Sequence, residues 1–260
     1  ALGQEGVLCL LCDCTNVERP GYSPSERIVG ETLRGILRDA PGRVIVTTFA
    51  SNIGRTQQVL DQAAACGRVV AITGRSMERM VATAARLGYL RIPPGTLVDL
   101  NSIQYRAPQE IVILTTGSQG EPLSALARMS RRSHKQVRIG EGDTVVMSAT
   151  PIPGNESLIW RTINRLFRRG ANVIYENIAP VHVSGHASQE EMKLLLHLVK
   201  PKYFIPIHGE LRHLHQHANI ARMIGIPDEN IAVIENGRMV EFDHGAMHIG
   251  DRLPGGYVFV

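Results

Sequence analysis

The sequence predicts an α/β protein built on parallel strands, and three observations carry that prediction. Short apolar runs, bounded by glycine, proline or small polar residues, recur along the chain and have the length of strands buried on both faces. Between most of them lies a single segment with apolar residues at helical spacing, opened by a capping residue or closed by glycine. Strands separated by single helices pair in parallel through right-handed crossovers.

Taken in order, residues 6–12 are almost wholly apolar and run into Asp13, which predicts a first strand buried on both faces. Almost nothing precedes it, so it is expected to begin in the middle of a sheet. Ser23-Pro24-Ser25-Glu26 combines an N-cap serine, proline at the first helical position and glutamate three residues past the cap. The helix it opens carries Ile28, Val29, Leu33, Ile36 and Leu37 on one side and stops at Pro41-Gly42. Next come a strand at 44–49, a helix to about 66 closed by Gly67, a strand at 69–73, and a helix at 76–87 closed by Gly88. Strands are expected at 111–115, 144–148 and 172–175, with helices near 122–131 and 155–169. Residues 20–178 therefore read as one α/β domain. Beyond it, a helix at about 188–199, a strand at 203–207, a helix at about 210–224 and strands at 231–234, 239–242 and 257–260 are expected.

Composition bounds the function classes. Across 260 residues, 43% hydrophobic and 20% charged, the chain is long enough to bury a core and is neither a disordered tail, a collagen-like fibre nor a disulfide-held scaffold. With 28 basic against 24 acidic residues, its mild basicity is compatible with a polyanionic partner without requiring one. No apolar run approaches the roughly 18 to 20 residues that span a bilayer, and a signal peptide's regions are lacking; the chain is read as cytoplasmic, with no membrane partner. Cys9, Cys12 and Cys14 share one apolar segment with Cys66 far away, and all four are read as reduced, partly buried thiols.

Nine of the ten histidines fall between His182 and His248. His182-Val183-Ser184-Gly185-His186 lies between a predicted strand and a helix, a junction that offers free N–H groups to anions. Its imidazoles could serve as phosphate donors, general acid or metal ligands, and a serine-capped helix with incidental histidines is an equally weighted alternative. His208, in Pro206-Ile207-His208-Gly209-Glu210, follows an apolar strand, where ligand sites gather in α/β proteins. His213, His215 and His217 alternate along the next helix, cannot all face one metal, and are assigned mostly to the surface or to supporting roles. The turns 48–52 and 115–122 are seats for an anion or ribose, or plain helix caps. Asp13, a charge ending an apolar strand, points to function, because a buried carboxylate must be paired or protonated. Arg161, Arg165, Arg168 and Arg169, with Arg131, Arg132, Lys135 and Arg138, form two basic stretches that are solvated faces or phosphate contacts.

Taken together, Leu11-Cys12-Asp13-Cys14-Thr15-Asn16, Glu18-Arg19-Pro20, Ser25-Glu26-Arg27, Phe49-Ala50-Ser51-Asn52-Ile53, Gly74-Arg75-Ser76-Met77, Thr116-Gly117-Ser118-Gln119-Gly120-Glu121-Pro122, Pro151-Ile152-Pro153-Gly154-Asn155, His182-Val183-Ser184-Gly185-His186 and Pro206-Ile207-His208-Gly209-Glu210 resemble the ribonuclease J family. That family is a β-CASP branch of the metallo-β-lactamase nucleases, and the likeness runs over essentially the whole chain. It implies a β-CASP domain, itself a parallel-sheet α/β unit, inserted in a metallo-β-lactamase fold of which only the second half is present. The divisions are then 1–19, the end of the first metallo-β-lactamase segment; 20–178, the β-CASP domain; and 179–260, the second segment.

The resemblance further implies a zinc-dependent ribonuclease of RNA processing and decay. It would act as a 5′-to-3′ exonuclease on single-stranded 5′-monophosphorylated RNA and also as an endonuclease. Two zinc ions, or manganese or magnesium in their place, would activate a hydroxide for in-line attack. His208 matches a metal ligand. Asp13 and His186 match residues that protonate the leaving oxygen or position the phosphate. Ser184, Gly185, His182 and Ser51 match the pocket for nucleotide phosphates. A homodimer or homotetramer, within an RNA-degrading complex, is implied for the full-length protein.

Departures qualify the expectation. The family's His-x-His-x-Asp-His motif, its next histidine ligand and its bridging aspartate are absent from these residues, and Gly54 stands where relatives often carry histidine. One neutral histidine beside Asp13 does not hold two zinc ions in defined geometry, so the chain by itself is expected to be catalytically silent. The competing readings are a β-CASP module that grips RNA or a nucleotide phosphate without catalysis, and an unrelated doubly wound phosphate-binding domain.

Overall fold

The structure, a computed structural model, describes residues 2–152, 154–253 and 255. A short helix α1 (Leu2–Glu5) and strand β1 (Cys9–Asp13) precede α2 (Arg27–Asp39), β2 (Val44–Thr47), α3 (Ile53–Ala65), β3 (Val69–Thr73), α4 (Arg75–Arg86), β4 (Leu97–Val98), β5 (Ile111–Thr115), α5 (Ala125–Ser130), β6 (Thr144–Met147), α6 (Glu156–Phe167) and β7 (Asn172–Ile174). Then follow α7 (Gln189–Val199), β8 (Tyr203–Ile207), α8 (Leu211–Met223), β9 (Arg238–Asp243) and β10 (Ala246–Arg252). The chain divides into two compact units, Pro24–Val183 and the combination of Ala1–Ser23 with Ser184–Val260.

Pro24–Val183 is built on a parallel sheet in the order β4-β3-β5-β2-β6-β7. Strand side chains alternate between faces, and the apolar runs feed two cores. Val44, Val46, Val112 and Leu114 pack with Leu33, Leu37, Val59, Leu60, Met77 and Val81, from α2, α3 and α4, on one face. Ile45, Ile111, Ile113 and Val145 pack with Leu126, Met129, Ile159, Ile163 and Leu166, from α5 and α6, on the other. Burial on both faces is why these strands read as unbroken apolar runs.

Fully buried Arg55 in α3 ties the two ends of this unit together. Its guanidinium donates to the Val181 carbonyl at 2.7 Å and to the Glu26 carboxylate at 2.6 Å, and also bonds Ser148. A buried guanidinium is tolerable only when its donors are met in this way.

In the other unit β1 pairs with β8 in parallel, from Cys9 opposite Tyr203 to Asp13 opposite Ile207. Cys12, Cys14, Met192, Leu196, Phe204, Leu214 and Ile220 form its core. Strands β9 and β10 form an antiparallel hairpin.

Several expectations need correction. Leu8 and Leu11 are exposed, so β1 is not buried on both faces; among the described residues β8 is its one partner. Ser23 does not cap α2. Its backbone N–H and hydroxyl donate to Glu191, at 3.1 and 2.7 Å, and α2 begins at Arg27, after Glu26, whose carboxylate pairs with Arg55. Residues 231–234 form no strand: Ile231 makes an isolated bridge to Phe204. The short β4 and the whole of β10 were not foreseen, and the expected strand at 257–260 lies outside the described residues. The cysteines are free thiols, as read. No helix of the described residues is long and apolar enough to cross a membrane.

Candidate functional site

Parallel pairing of β1 with β8 brings the ends of two strands side by side: Asp13 is the last residue of β1, and His208 directly follows the last residue of β8. The loop before α7 supplies the third group, His186. One oxygen of Asp13, Oδ2, lies 2.8 Å from His186 Nδ1 and 3.0 Å from His208 Nδ1. The two rings are nearly parallel, with centroids 5.5 Å apart.

A carboxylate only accepts, so Nδ1 of His186 carries the proton and donates to Asp13. Nε2 of His186 has no hydrogen-bond partner among the described residues. His208 also faces Asp13 through Nδ1, with the Thr15 hydroxyl 3.0 Å from the same nitrogen, and its Nε2 has no hydrogen-bond partner among the described residues. A carboxylate behind the far nitrogen is the usual support of a metal-bound histidine. Partial burial pushes the Asp13 carboxyl up. The Thr15 N–H, bonded to it at 2.8 Å, and the His186 ring outweigh that and hold it below the ordinary carboxylate range.

The backbone around this cluster is tightly specified. His208 sits in left-handed conformation, with φ of 60°, a strain that side-chain-bearing residues accept where geometry matters. The Cys14 thiol and backbone N–H both donate to the Ile207 carbonyl at 3.0 Å. A Cβ on Gly209 would come within 2.5 Å of the Cys14 sulfur, so only glycine fits there. Asn16 donates to the Ser184 hydroxyl and the His186 carbonyl, at 2.9 and 3.0 Å. Ser184 in turn accepts the His186 N–H at 3.2 Å. Glu191 accepts the Ser188 N–H at 2.8 Å, and with Ser23 this holds its carboxyl below the usual range. Asn16, Thr15, Ser23 and Glu191 were not singled out as supporting groups, although Thr15 and Asn16 stand directly after Asp13.

Of the residues named from sequence, Asp13, Ser184, Gly185, His186 and His208 share one unit, while Ser51 and His182 belong to Pro24–Val183. His217 was assigned to the surface or a supporting role and is instead fully buried, its ring edge-on to Phe204 with centroids 4.9 Å apart. Helix α8 turns it toward the core beside Leu214 and Ala221.

Asp13, His186 and His208 each offer a ligand atom, all within 4.8 Å of one another, and among the described residues they are the one such cluster. This donor set, with Nδ1 of both rings against Asp13 Oδ2, fits part of a metal centre. It does not supply the six or more ligands that two tetrahedral ions require.

Comparison with known proteins gives two matches to family models. Residues 41–166 match the model "Ribonuclease J, beta-CASP domain" and residues 170–231 match "Zn-dependent metallo-hydrolase RNA specificity domain". Over 258 residues, 99% of this chain, it is 47% identical to a ribonuclease J of Synechocystis, covering 40% of that protein. It is 44% identical over 259 residues to ribonuclease J2 of Bacillus subtilis, covering 46% of it. The chain is similar to ribonuclease J along essentially its whole length. It is 44% identical over 258 residues to the Thermus thermophilus ribonuclease J as well, covering 45% of that protein. The chain thus spans less than half the length of these ribonuclease J relatives. The parallel sheets agree with the expected β-CASP and metallo-hydrolase architecture.

Proposed function

We propose that the full-length protein is a metal-dependent ribonuclease that hydrolyses RNA phosphodiesters, and that this chain supplies its proton-handling and phosphate-positioning part. The observation that carries the proposal is the Asp13 carboxylate between two imidazoles, each facing it through Nδ1, inside a chain similar to ribonuclease J. On this reading residues 20–178 form the inserted β-CASP domain, and 1–19 with 179–260 belong to the metallo-β-lactamase fold.

Asp13 fixes the tautomer and direction of His186. The doubly protonated ring then gives its Nε2 proton to the leaving oxygen as the P–O bond breaks. The Ser184 hydroxyl and the open backbone at Gly185 position a phosphate group by hydrogen bonds, and Ser51 and His182 are assigned to phosphate binding as well. His208 Nε2 is one ligand of a zinc centre, and the metal, when bound, supplies Lewis-acid activation of the phosphate. The substrate is single-stranded RNA with a 5′-monophosphate, cut from the end and internally.

The 260-residue chain on its own does not turn over, because its donor set completes no two-ion centre. Incubation with 5′-monophosphorylated RNA and zinc or manganese tests this: no release of mononucleotides is expected, and metal-dependent release would overturn it. In the full-length protein the same assay gives cleavage that chelation abolishes; cleavage indifferent to chelation would sink the metallonuclease reading.

A further inference from the structure

Helix α6 lies wholly within Pro24–Val183, and the fold uses only one side of it. Ile159, Ile163 and Leu166 are buried in the core with Val145 and Val173 of the sheet. On an outward side Trp160 and Phe167 stay 41% and 50% exposed, with exposed Asn164 between them. Positions i, i+4 and i+7 make one stripe along a helix. Two aromatic side chains, about 10.5 Å apart along the axis, are thus left in water together, whereas apolar residues exposed singly are ordinary.

The indole is held in place. Trp160 packs edge-on with Tyr175, directly after β7, with ring centroids 5.6 Å apart and planes at 84°. A ring positioned in this way loses little freedom when a partner covers it.

Charge decides the kind of partner. Arg161 and Arg168 each follow one of the aromatics, and Arg165 stands between them. None of the three forms an ion pair among the described residues. Glu156, the one acid of the helix, is turned back to accept the Gly154 N–H at 2.8 Å. Free basic groups beside an apolar stripe call for acidic groups beside the stripe that meets it. In heptad terms Trp160 and Phe167 stand at d, Asn164 at the a position between them, and Arg161 and Arg168 at e, where charge sets partner choice. A facing helix repeats at the same interval and meets both rings turn for turn. A second copy of α6 offers these arginines no free acid, because Glu156 is engaged.

We propose that the outward face of α6 docks an amphipathic helix of another protein, one that carries an apolar stripe at heptad spacing with acidic residues beside it. Trp160 and Phe167 are the apolar anchors, and Arg161 and Arg168 select for acidic charge. The inference needs no metal and none of Asp13, His186 or His208, so it stands or falls apart from the hydrolytic reading.

Trp160 is the one tryptophan of the sequence, so its fluorescence reads this face alone. The test titrates the whole chain, in chelator, with tryptophan-free synthetic helices of four heptads, leucine at a and d, and either glutamate or lysine at both e and g. A saturable blue shift with the glutamate helix is expected, and none with the lysine helix. The double variant Arg161→Glu/Arg168→Glu should reverse that preference, which a merely disturbed surface would not do. Phe167→Ala should weaken binding of the glutamate helix at least about tenfold, the loss of a covered aromatic anchor. Its unfolding temperature should be maintained, since the side chain is half exposed. No saturable shift with the glutamate helix, or one that the double variant leaves intact, would overturn the proposal. A larger shift with oligouridylate would assign the face to nucleic acid, and emission that shifts with protein concentration alone would assign it to a second copy. Either result overturns it as well.

Discussion

Nδ1 of His186 meets Oδ2 of Asp13 at 2.8 Å across 173 positions of sequence. With this pairing in place His186 is expected to move a proton without binding metal. In the full-length protein His186→Ala should slow RNA cleavage by about 10² to 10⁴-fold, the span of a lost general acid, with metal content retained. His208→Ala should abolish metal-supported cleavage and lower zinc content measured by atomic emission. Equal zinc loss in both variants would refute this division of roles.

Asp13→Asn keeps the shape of the side chain but can donate toward an imidazole nitrogen and so select the wrong tautomer. Cleavage should fall by at least about tenfold, through kcat rather than KM, because the ring loses its orientation while RNA binding is untouched. A change confined to KM would show that Asp13 acts only in binding.

Gly209 is the hinge on which His208 is set. Gly209→Ala drives a methyl into the Cys14 sulfur and the His213 side chain, and overpacking of this kind costs about 1 to 3 kcal/mol. The expected result is a lower urea midpoint together with loss of activity in the full-length protein. Cys14→Ala, which opens the space, should partly restore the activity of Gly209→Ala. Full activity of the single variant would contradict the close packing.

Arg55→Met should destabilise Pro24–Val183 by about 3 kcal/mol, because it removes the guanidinium's bonds to the Val181 carbonyl and the Ser148 hydroxyl, which then keep only their 2.6 Å bond to each other, and frees half-exposed Glu26 from its ion pair. Urea unfolding monitored by circular dichroism measures it. A loss below about 1 kcal/mol would show that other groups hold these ends.

Burial lowers the His217 imidazole pKa to about 4 from the ordinary 6.5, and neither ring nitrogen has a hydrogen-bond partner. The unfolded chain takes up this proton near pH 6.5 and the folded chain only near 4. The stability that depends on a neutral ring is therefore complete above pH 6.5 and is lost as pH falls toward 4, by about 3 kcal/mol in all. His217→Leu should flatten that slope and leave stability at pH 7 equal or slightly higher. An unchanged slope in urea titrations from pH 7 to 4 would refute the assignment.

Local signals were legible where the local chain decides the outcome. Asn52 caps α3 by accepting the Arg55 N–H at 2.9 Å, and the runs around Ile45, Ile113 and Val145 are buried strands as expected. Asp13, His186 and His208 were named from motifs, and β1 and β8 bring them together. Reading failed where a distant partner outbids a local one. Ser23 carries a good capping sequence, yet Glu191, 168 positions away, claims it. His217 looks like one of three alternating polar residues until α8 packs on Phe204. The β10 strand is mostly exposed and mixes Met247 and Ile249 with His248, Asp251 and Arg252, so no unbroken apolar run announces it.

The Arg55 clamp also bears on the order in which the chain folds. Cys14 and Ile207 are 193 positions apart, and strand pairing at such separation is slow because a long loop must close first. Once Arg55 holds both Glu26 and Val181, the ends of the intervening unit are already gathered. Strands β1 and β8 then meet as though joined by a short connection. The unit between them is expected to mature first and so to shorten the search for its flanks. Weakening the clamp should therefore delay pairing of β1 with β8 during refolding, with Asp13 and His208 meeting last.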